Sequence, residues 1–479
     1  MAQLTDLPTE IILHIVSYLQ SYDDIAALAA QSSHLYESCD MRARARFREI
    51  HITNNAKHLE SAFAALIDIL EQPYLGRYVR HIEYWESVTK TYKDPTFCEL
   101  NTSSPAEEHM RMIRAAIYRA GFPSNIIERL AMIVRLISGV NSRREINLMN
   151  RPPLLAQVLT ALLISVAPEV ESMALSQPFL SKFSVPWHTD SIDRKCMKFP
   201  LQWLLHQINN NDAFPGARGP KLLRKLRDVY LVTEPEDDSP WKQDRVFFMT
   251  DLFGFLELFH RLPSIESFGT DELKTSVVGK HGLPFASSNI SCIQIEHSLA
   301  DSMNLARMIC LCKQLREFQC PIGARSIGGN LTCRLNTFRI IFQALLVHRR
   351  TLEVLDLGVT YIPFDSKPVE RVPLNLSENR EKREQMQLIQ IANEMALADK
   401  SVQLPDWIWD QAGSLADFSA LKHLDQELQY LLYMSRGVGT ARDDGYQLVD
   451  RLPPQLEHLL INEYVRNENV EFDEQVDSP

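Results

Sequence analysis

Apolar side chains at Leu4, Leu7, Ile11, Ile12, Ile15, Val16 and Leu19 recur at spacings of three and four, with doublets. That periodicity lays one wide face along an α-helix over residues 4–19. Pro8 suits the first turn, where its missing N–H leaves nothing unpaired, and Glu10 complements the positive end of the helix dipole. The helix gives out near Gln20-Ser21, and Asp23-Asp24 supply capping oxygens for a second helix carrying Ile25 and Leu28. Ser32-Ser33 precede a third short segment with Leu35 and Tyr36. Three short helices within about 40 residues bury too little core to stand comfortably alone, so the unit leans on a partner or on the next domain.

These residues carry a resemblance. Leu7-Pro8-Thr9-Glu10-Ile11-Ile12-Leu13-His14-Ile15-Val16-Ser17-Tyr18-Leu19, followed by Asp23-Asp24-Ile25-Ala26-Ala27-Leu28, resembles an F-box. The family pattern is Leu-Pro-x-Glu-Ile, Ile four later, Tyr-Leu three beyond, and a second helix with Asp-Leu-x-x-Leu. Ile25 stands where Leu is usual. The likeness covers roughly residues 4 to 45, under a tenth of the chain; an ordinary amphipathic N-terminal helix is the bland alternative. Its N-terminal placement, ahead of a long chain of different character, is similar to fungal F-box proteins. The resemblance implies a target-recognition subunit of a Skp–cullin–F-box ubiquitin ligase that catalyses nothing itself. Its N-terminal helices would dock on a Skp-type adaptor and, through it, a cullin. Carried over position by position, Leu7, Pro8, Ile11, Ile15, Leu19 and Leu28 are the adaptor-facing candidates, some of which pack inward instead. A scaffold bound to the adaptor without ubiquitin transfer is the alternative. An enzyme concealed in the C-terminal region is a further one.

Farther on, Arg42, Arg44, Arg46 and Arg48 are spaced by two, which scatters them around a helix as a solvated surface with no single basic stripe. Residues 59–70 and 105–136 read as helical tracts, and 78–85 as a short strand by its alternation and aromatics. An apolar residue followed by others three and five positions on then recurs: Val79, Ile82, Tyr84; Val170, Met173, Leu175; Leu226, Val229, Leu231. It returns at Ile290, Ile293, Ile295; Leu315, Phe318, Cys320; Leu352, Leu355, Leu357; and Leu456, Leu459, Ile461, with weaker copies from Ile265 and Leu421. Several copies follow an amphipathic run ending near proline and place Glu right after the first apolar residue, a helix–turn–strand unit as in leucine-rich repeats. Two successive intervals, 265 to 290 and 290 to 315, are 25 residues; the others are longer, so insertions interrupt the stack. Glu234, Ser298, Gly323 and Thr360 replace the consensus Asn or Cys, so a regular asparagine ladder is lost.

The fold expected is therefore mixed α and β and helix-rich. An N-terminal three-helix F-box over 1–45 precedes an irregular leucine-rich-repeat-like solenoid with short parallel strands over 46–465. A disordered acidic tail follows over 466–479. Parallel stacking should put Leu355 and Leu357 beside Phe318 and Cys320. Residues 234–240 read as an acidic, proline-flanked loop and 364–386 as a polar insertion.

Composition narrows the class. Hydrophobic residues at 45% and charged residues at 23% are the balance of a soluble globular chain. Acids outnumber bases 61 to 50, a formal net charge of -11, which disfavours nucleic acid or an anionic membrane as partner. The N-terminus carries no basic region of a signal peptide. The most apolar stretch, 154–167, holds Gln157, Thr160 and Ser165 between prolines at 152, 153 and 168, so it reads as a buried helix. Eight scattered cysteines do not make a secreted disulfide framework, and Asn101-Thr102-Ser103 reads as an ordinary loop. The expected setting is intracellular, cytoplasm or nucleus, with a protein target as the remaining partner.

No nucleophile elbow, P-loop, His-Glu-x-x-His or Cys-x-x-Cys occurs. Gly437-Val438-Gly439 begins like a dinucleotide fingerprint, but Arg442 stands where the third Gly belongs, so it reads as a flexible loop. Cys310, Cys312, Cys320 and Cys333, with His297 upstream, are the one thiol cluster. Zinc needs four converging ligands. Cys310 and Cys312 face different ways on a helical run, and Cys320 takes a core position of a strand. No metal, cofactor or catalytic group is expected. Trp407-Ile408-Trp409 reads as the start of a helix with one Trp buried and one exposed, and Trp187-His188 and Trp241 as loop aromatics.

Overall fold

The computed structural model describes residues 4, 7–19, 21–53, 56–85, 106–137, 152–176, 199–211, 222–232, 249–275, 283–298, 300, 302–321, 335–358, 404–439 and 447–462. The sequence-marked segments 234–240, 364–386 and 466–479, the Asn101-Thr102-Ser103 site, Trp187, His188, Trp241 and Cys333 lie outside these residues. The protein is mixed helix and parallel sheet. It divides into two compact units, residues 1–208 with 216–226, and 209–215 with 227–479. No described helix is long and apolar enough to cross a membrane.

The first unit opens with four short helices: α1 Thr9–Tyr18, α2 Tyr22–Ala29, α3 Ser33–Ser38 and α4 Met41–Phe47. Helix α1 starts one residue after Pro8, which sits at the N-cap rather than inside the first turn. The cap of α2 is Ser21, whose hydroxyl accepts the Asp24 N–H at 3.0 Å. Asp23 and Asp24 lie in the first helical turn, where their charge meets the helix dipole instead of capping it. Ser32 caps α3 in the same way, accepting from the Leu35 N–H at 3.1 Å.

Three strands come next, β1 Glu49–Thr53, β2 His81–Trp85 and β3 Ser172–Ser176, paired parallel in that order. Helices α5 Ala56–Glu71, α6 Glu107–Arg119, α7 Ser124–Ile137 and α8 Pro152–Val166 run between them, and α9 Pro200–Asn211 comes after β3. The tract expected over 105–136 is thus two helices. Gly121, at φ 84°, ends α6 in the left-handed conformation; Phe122 is buried, stacked on Trp203 of α9 at 4.8 Å, and Pro123 precedes the next turn. Helix α8 is the apolar stretch read from sequence. It packs on α5, α6 and α7 and backs β1 and β2, and every residue from Leu155 to Ile164 is buried. Its buried Thr160 hydroxyl is satisfied by donating to the Ala156 carbonyl at 2.8 Å. Gly76 approaches so closely that a Cβ there would lie 2.2 Å from the Val166 carbonyl oxygen.

Among the described residues the second unit holds seven parallel strands in the order β4 Asp228–Val232, β6 Ser267–Thr275, β7 Cys292–Ser298, β8 Glu317–Gln319, β9 Val354–Asp356, β10 His423–Glu427 and β11 His458–Asn462. A two-residue β5, Met249–Thr250, pairs with the far end of β6. The helices between them are α10 Leu252–Leu256, α11 Ser302–Leu311, α12 Leu335–Leu346, α13 Asp406–Trp409 and α14 Leu428–Arg436. The middle apolar residue of each triplet falls in one row: Val229, Phe268, Ile293, Phe318, Leu355, Leu424 and Leu459 are register partners in succession. The copies at 265 and 421 are full strands. They look weaker in sequence because Thr270 and Gln426, both buried, stand where the third apolar residue is expected.

The strands begin two residues after the first apolar residue, which is buried in the preceding turn at Leu226, Ile265, Ile290, Leu315, Leu352 and Leu421. The next residue ties neighbouring strands together through its backbone. The Arg227 carbonyl accepts from Glu266 and Ser267, the Glu266 carbonyl from Ser291 and Cys292, and the Ser291 carbonyl from Arg316 and Glu317. Arg316, Glu353 and Lys422 continue this, each taking two N–H groups of the following strand at 2.7–3.1 Å. Their side chains form a charged row beside it. Glu353 accepts from Arg316 Nε at 2.9 Å and from Lys422 Nζ at 3.1 Å, and those two cations hold its carboxyl below the usual range.

Candidate partner-docking surface

Helix α1 has an inner and an outer face. Ile12 and Val16 point inward and are 1% and 3% exposed, meeting Ile25, Ala29, Leu35, Cys39 and Met41 in a small separate core. Of the six residues named from the motif, Leu7, Leu19 and Leu28 are half-buried and pack against this core. Ile15 is half-buried and outside the core set, whereas Pro8 and Ile11 are exposed.

Ile11, Ile15 and Tyr18 are spaced by four and three, so they line one stripe of the helix. Ile11 is 45% exposed and Tyr18 72%, and the His14 ring stands edge-on to the Tyr18 ring at 5.0 Å. Leu13, on the other flank, is 47% exposed, and Leu4 is 39% exposed. Four of the thirteen exposed large apolar side chains among the described residues thus fall within residues 4–18, a local concentration of the kind that marks an interaction surface. Tyr18 and Leu13 lie outside the six motif positions. The signal for Tyr18 was its seven-residue spacing from Ile11; Leu13 had none, being off both faces.

Three of the four arginines of this region make specific contacts, while Arg42 is exposed. Arg44 lies 4.5 Å over the Tyr78 ring and donates to the Cys39 carbonyl at 2.8 Å, Arg46 pairs with Asp68 on α5, and Arg48 lies 4.1 Å over the Tyr22 ring. These contacts tie α4 and the residue after it to α2, to α5 and to the turn at Pro73–Tyr78. Burial pushes the Tyr78 hydroxyl up to about 12, with Asp40 adding to the effect.

Elsewhere the tempting chemistry is packed away. Burial pushes the Cys310 thiol up to about 12 and Cys312 higher still, Cys312 donating to the Met308 carbonyl at 3.6 Å. Cys320 is buried at the end of β8. Thiols raised this far are poor ligands and nucleophiles at neutral pH. Among the described residues no three His, Cys, Asp or Glu groups stand together as a metal would need. Of the aromatic pair, Trp407 is exposed and Trp409 half-buried, with Ile408 between them as the buried anchor. Gly437 and Gly439 both take positive φ just past a helix end. Gly437 ends α14 at φ 78°, and Val438 exchanges backbone hydrogen bonds of 2.9 and 2.8 Å with Gly413.

Two buried histidines are structural. His348 donates from Nε2 to the Ile309 carbonyl at 3.0 Å and accepts the Leu315 N–H at Nδ1, at 3.3 Å. His260 donates from Nδ1 to the Leu256 carbonyl at 3.1 Å, leaving Nε2 buried with no partner, and burial with Arg261 nearby holds its pKa down at about 4. No family model matches the sequence, and no curated protein matches it as a relative.

Proposed function

We propose that this chain is the target-recognition subunit of a Skp–cullin–F-box type ubiquitin ligase. In this reading α1 to α3 are the F-box, and the helix–turn–strand units after them are an irregular leucine-rich-repeat-like solenoid holding a protein target. The observation that carries it is the outer stripe of α1. Ile11 and Tyr18 stay exposed, with the half-buried Ile15 between them and the exposed Pro8 at the N-cap, on a helix whose inner face already has its own core. An apolar stripe that the fold leaves uncovered suits an obligate partner helix or groove. The subunit acts by proximity, raising the effective concentration of target lysines at a ubiquitin-charged enzyme.

Calorimetry against a Skp-type adaptor tests it. Leu7→Ala with Pro8→Ala should cost about 2 kcal/mol each, roughly a thousandfold in affinity together. An unchanged affinity sinks the assignment. Co-purification of a cullin separates the ligase subunit from an adaptor-bound scaffold.

A further inference from the structure

The sheet of the second unit stops at β11 without the cover that its inner strands receive. In β8, β9 and β10 the first two apolar residues of each triplet, Leu315, Phe318, Leu352, Leu355, Leu421 and Leu424, are no more than 1% exposed. Their counterparts Leu456 and Leu459 are half-buried, as is the third apolar residue Ile461; Leu460 is 46% exposed, and Val449, one turn before, is 55% exposed. Among the described residues β11 pairs with β10 alone. The His458 N–H bonds to the Lys422 carbonyl, so the period of two turns the backbone of Leu460 and Asn462 toward β10. It turns the N–H and C=O of Leu459 and Ile461 outward.

The repeat itself states what belongs on that edge. From β8 to β10 each strand offers the next one a carbonyl beside the charged row of Arg316, Glu353 and Lys422, and an apolar row behind it. The charges alternate along that row, Arg316 to Glu353 at 2.9 Å and Glu353 to Lys422 at 3.1 Å, and the row ends on the exposed Glu457. The next member should be basic. We infer that the β11 edge is a docking site for an extended segment of a partner protein with the pattern apolar–Arg/Lys–x–apolar–x–apolar, added as a parallel strand. Its backbone meets Leu459 and Ile461, its cation meets Glu457, and its apolar residues cover Leu456, Leu459 and Ile461. This inference concerns β11 alone, and it stands or falls separately from the adaptor reading of α1.

The probe is a labelled peptide with the sequence of residues 314–321 carrying Cys320→Val, which has Leu315, Arg316, Phe318 and the new Val in the required places. Fluorescence polarisation against the full chain should show saturable binding, and the Arg316→Glu peptide should bind about fivefold more weakly, the upper end for one cross-strand charge pair. Glu457→Lys in the chain should reverse that preference. Ile461→Pro removes an outward donor but no ladder bond, so it should abolish binding while the unit still melts cooperatively. If Ile461→Pro does not fold, the exposed Glu457→Lys exchange still decides. Equal binding of a scrambled peptide, or a preference untouched by Glu457→Lys, overturns the inference. So does a concentration-dependent dimer in sedimentation that Ile461→Pro dissolves, because a second copy would then hold the edge.

Discussion

Phe318 of β8 and Leu355 of β9 face each other in register, and both are fully buried. The same row continues to Leu424 on the far side of Leu355. Aligning the apolar triplets at 315 and 352 in the sequence leads to this neighbour relation, and the carbonyl of Asp356 accepting the Cys320 N–H at 2.8 Å extends it by one step. An Asp at 355 would bury a carboxylate between two apolar neighbours. Leu355→Asp should therefore destabilise the second unit by at least about 3 kcal/mol, read as a lowered urea midpoint. An unshifted transition would place Leu355 outside the core.

The two faces of α1 separate stability from binding. Ile12→Ala should empty part of the small core and cost about 2–4 kcal/mol of stability. Tyr18→Ala, on the exposed stripe, should leave the melting temperature alone and weaken adaptor binding. Thermal melts and calorimetry on the same two variants check both halves, and the opposite pattern would invert the assigned faces.

His260 makes the second unit acid-sensitive. Its pKa is about 4 in the fold against about 6.5 when unfolded, so between those values the unfolded chain binds more protons and stability rises with pH. The stabilisation is complete above about 6.5 and is lost as pH falls toward 4, about 2 kcal/mol by pH 5. Burial also holds His348 low, in the same direction. Urea midpoints at pH 7.5 and pH 5 should therefore fall more steeply for the native chain than for His260→Asn. Parallel slopes would rule His260 out.

Gly76 is required by space. A methyl group there would lie 2.2 Å from the backbone oxygen at Val166, so either the turn at 73–78 or the end of α8 must move. Gly76→Ala should cost about 1–3 kcal/mol in the first unit, whereas Ala at an open surface position costs little. Differential scanning calorimetry reads the loss directly.

Features settled within a few residues are legible in the chain alone. The α1 periodicity, the buried run of α8 and the inward position of each triplet all depend on local sterics and on the alternation of side chains. The tertiary structure decided the rest. Leu7, Leu19 and Leu28 lean on the small core while Ile11 and Tyr18 stay outside, because α2, α3 and the start of α4 cover only one side of α1. Thr270 and Gln426 look polar enough to end a strand, yet neighbours distant in the chain bury them in two full members of the sheet. Glu353 reads as a solvated acid until the chain returns to set Arg316 and Lys422 on either side of it. Burial and charge pairing are properties of what other strands and helices bring to a residue. Local pattern fixes the direction in which a side chain points, and only the folded chain supplies what it meets there.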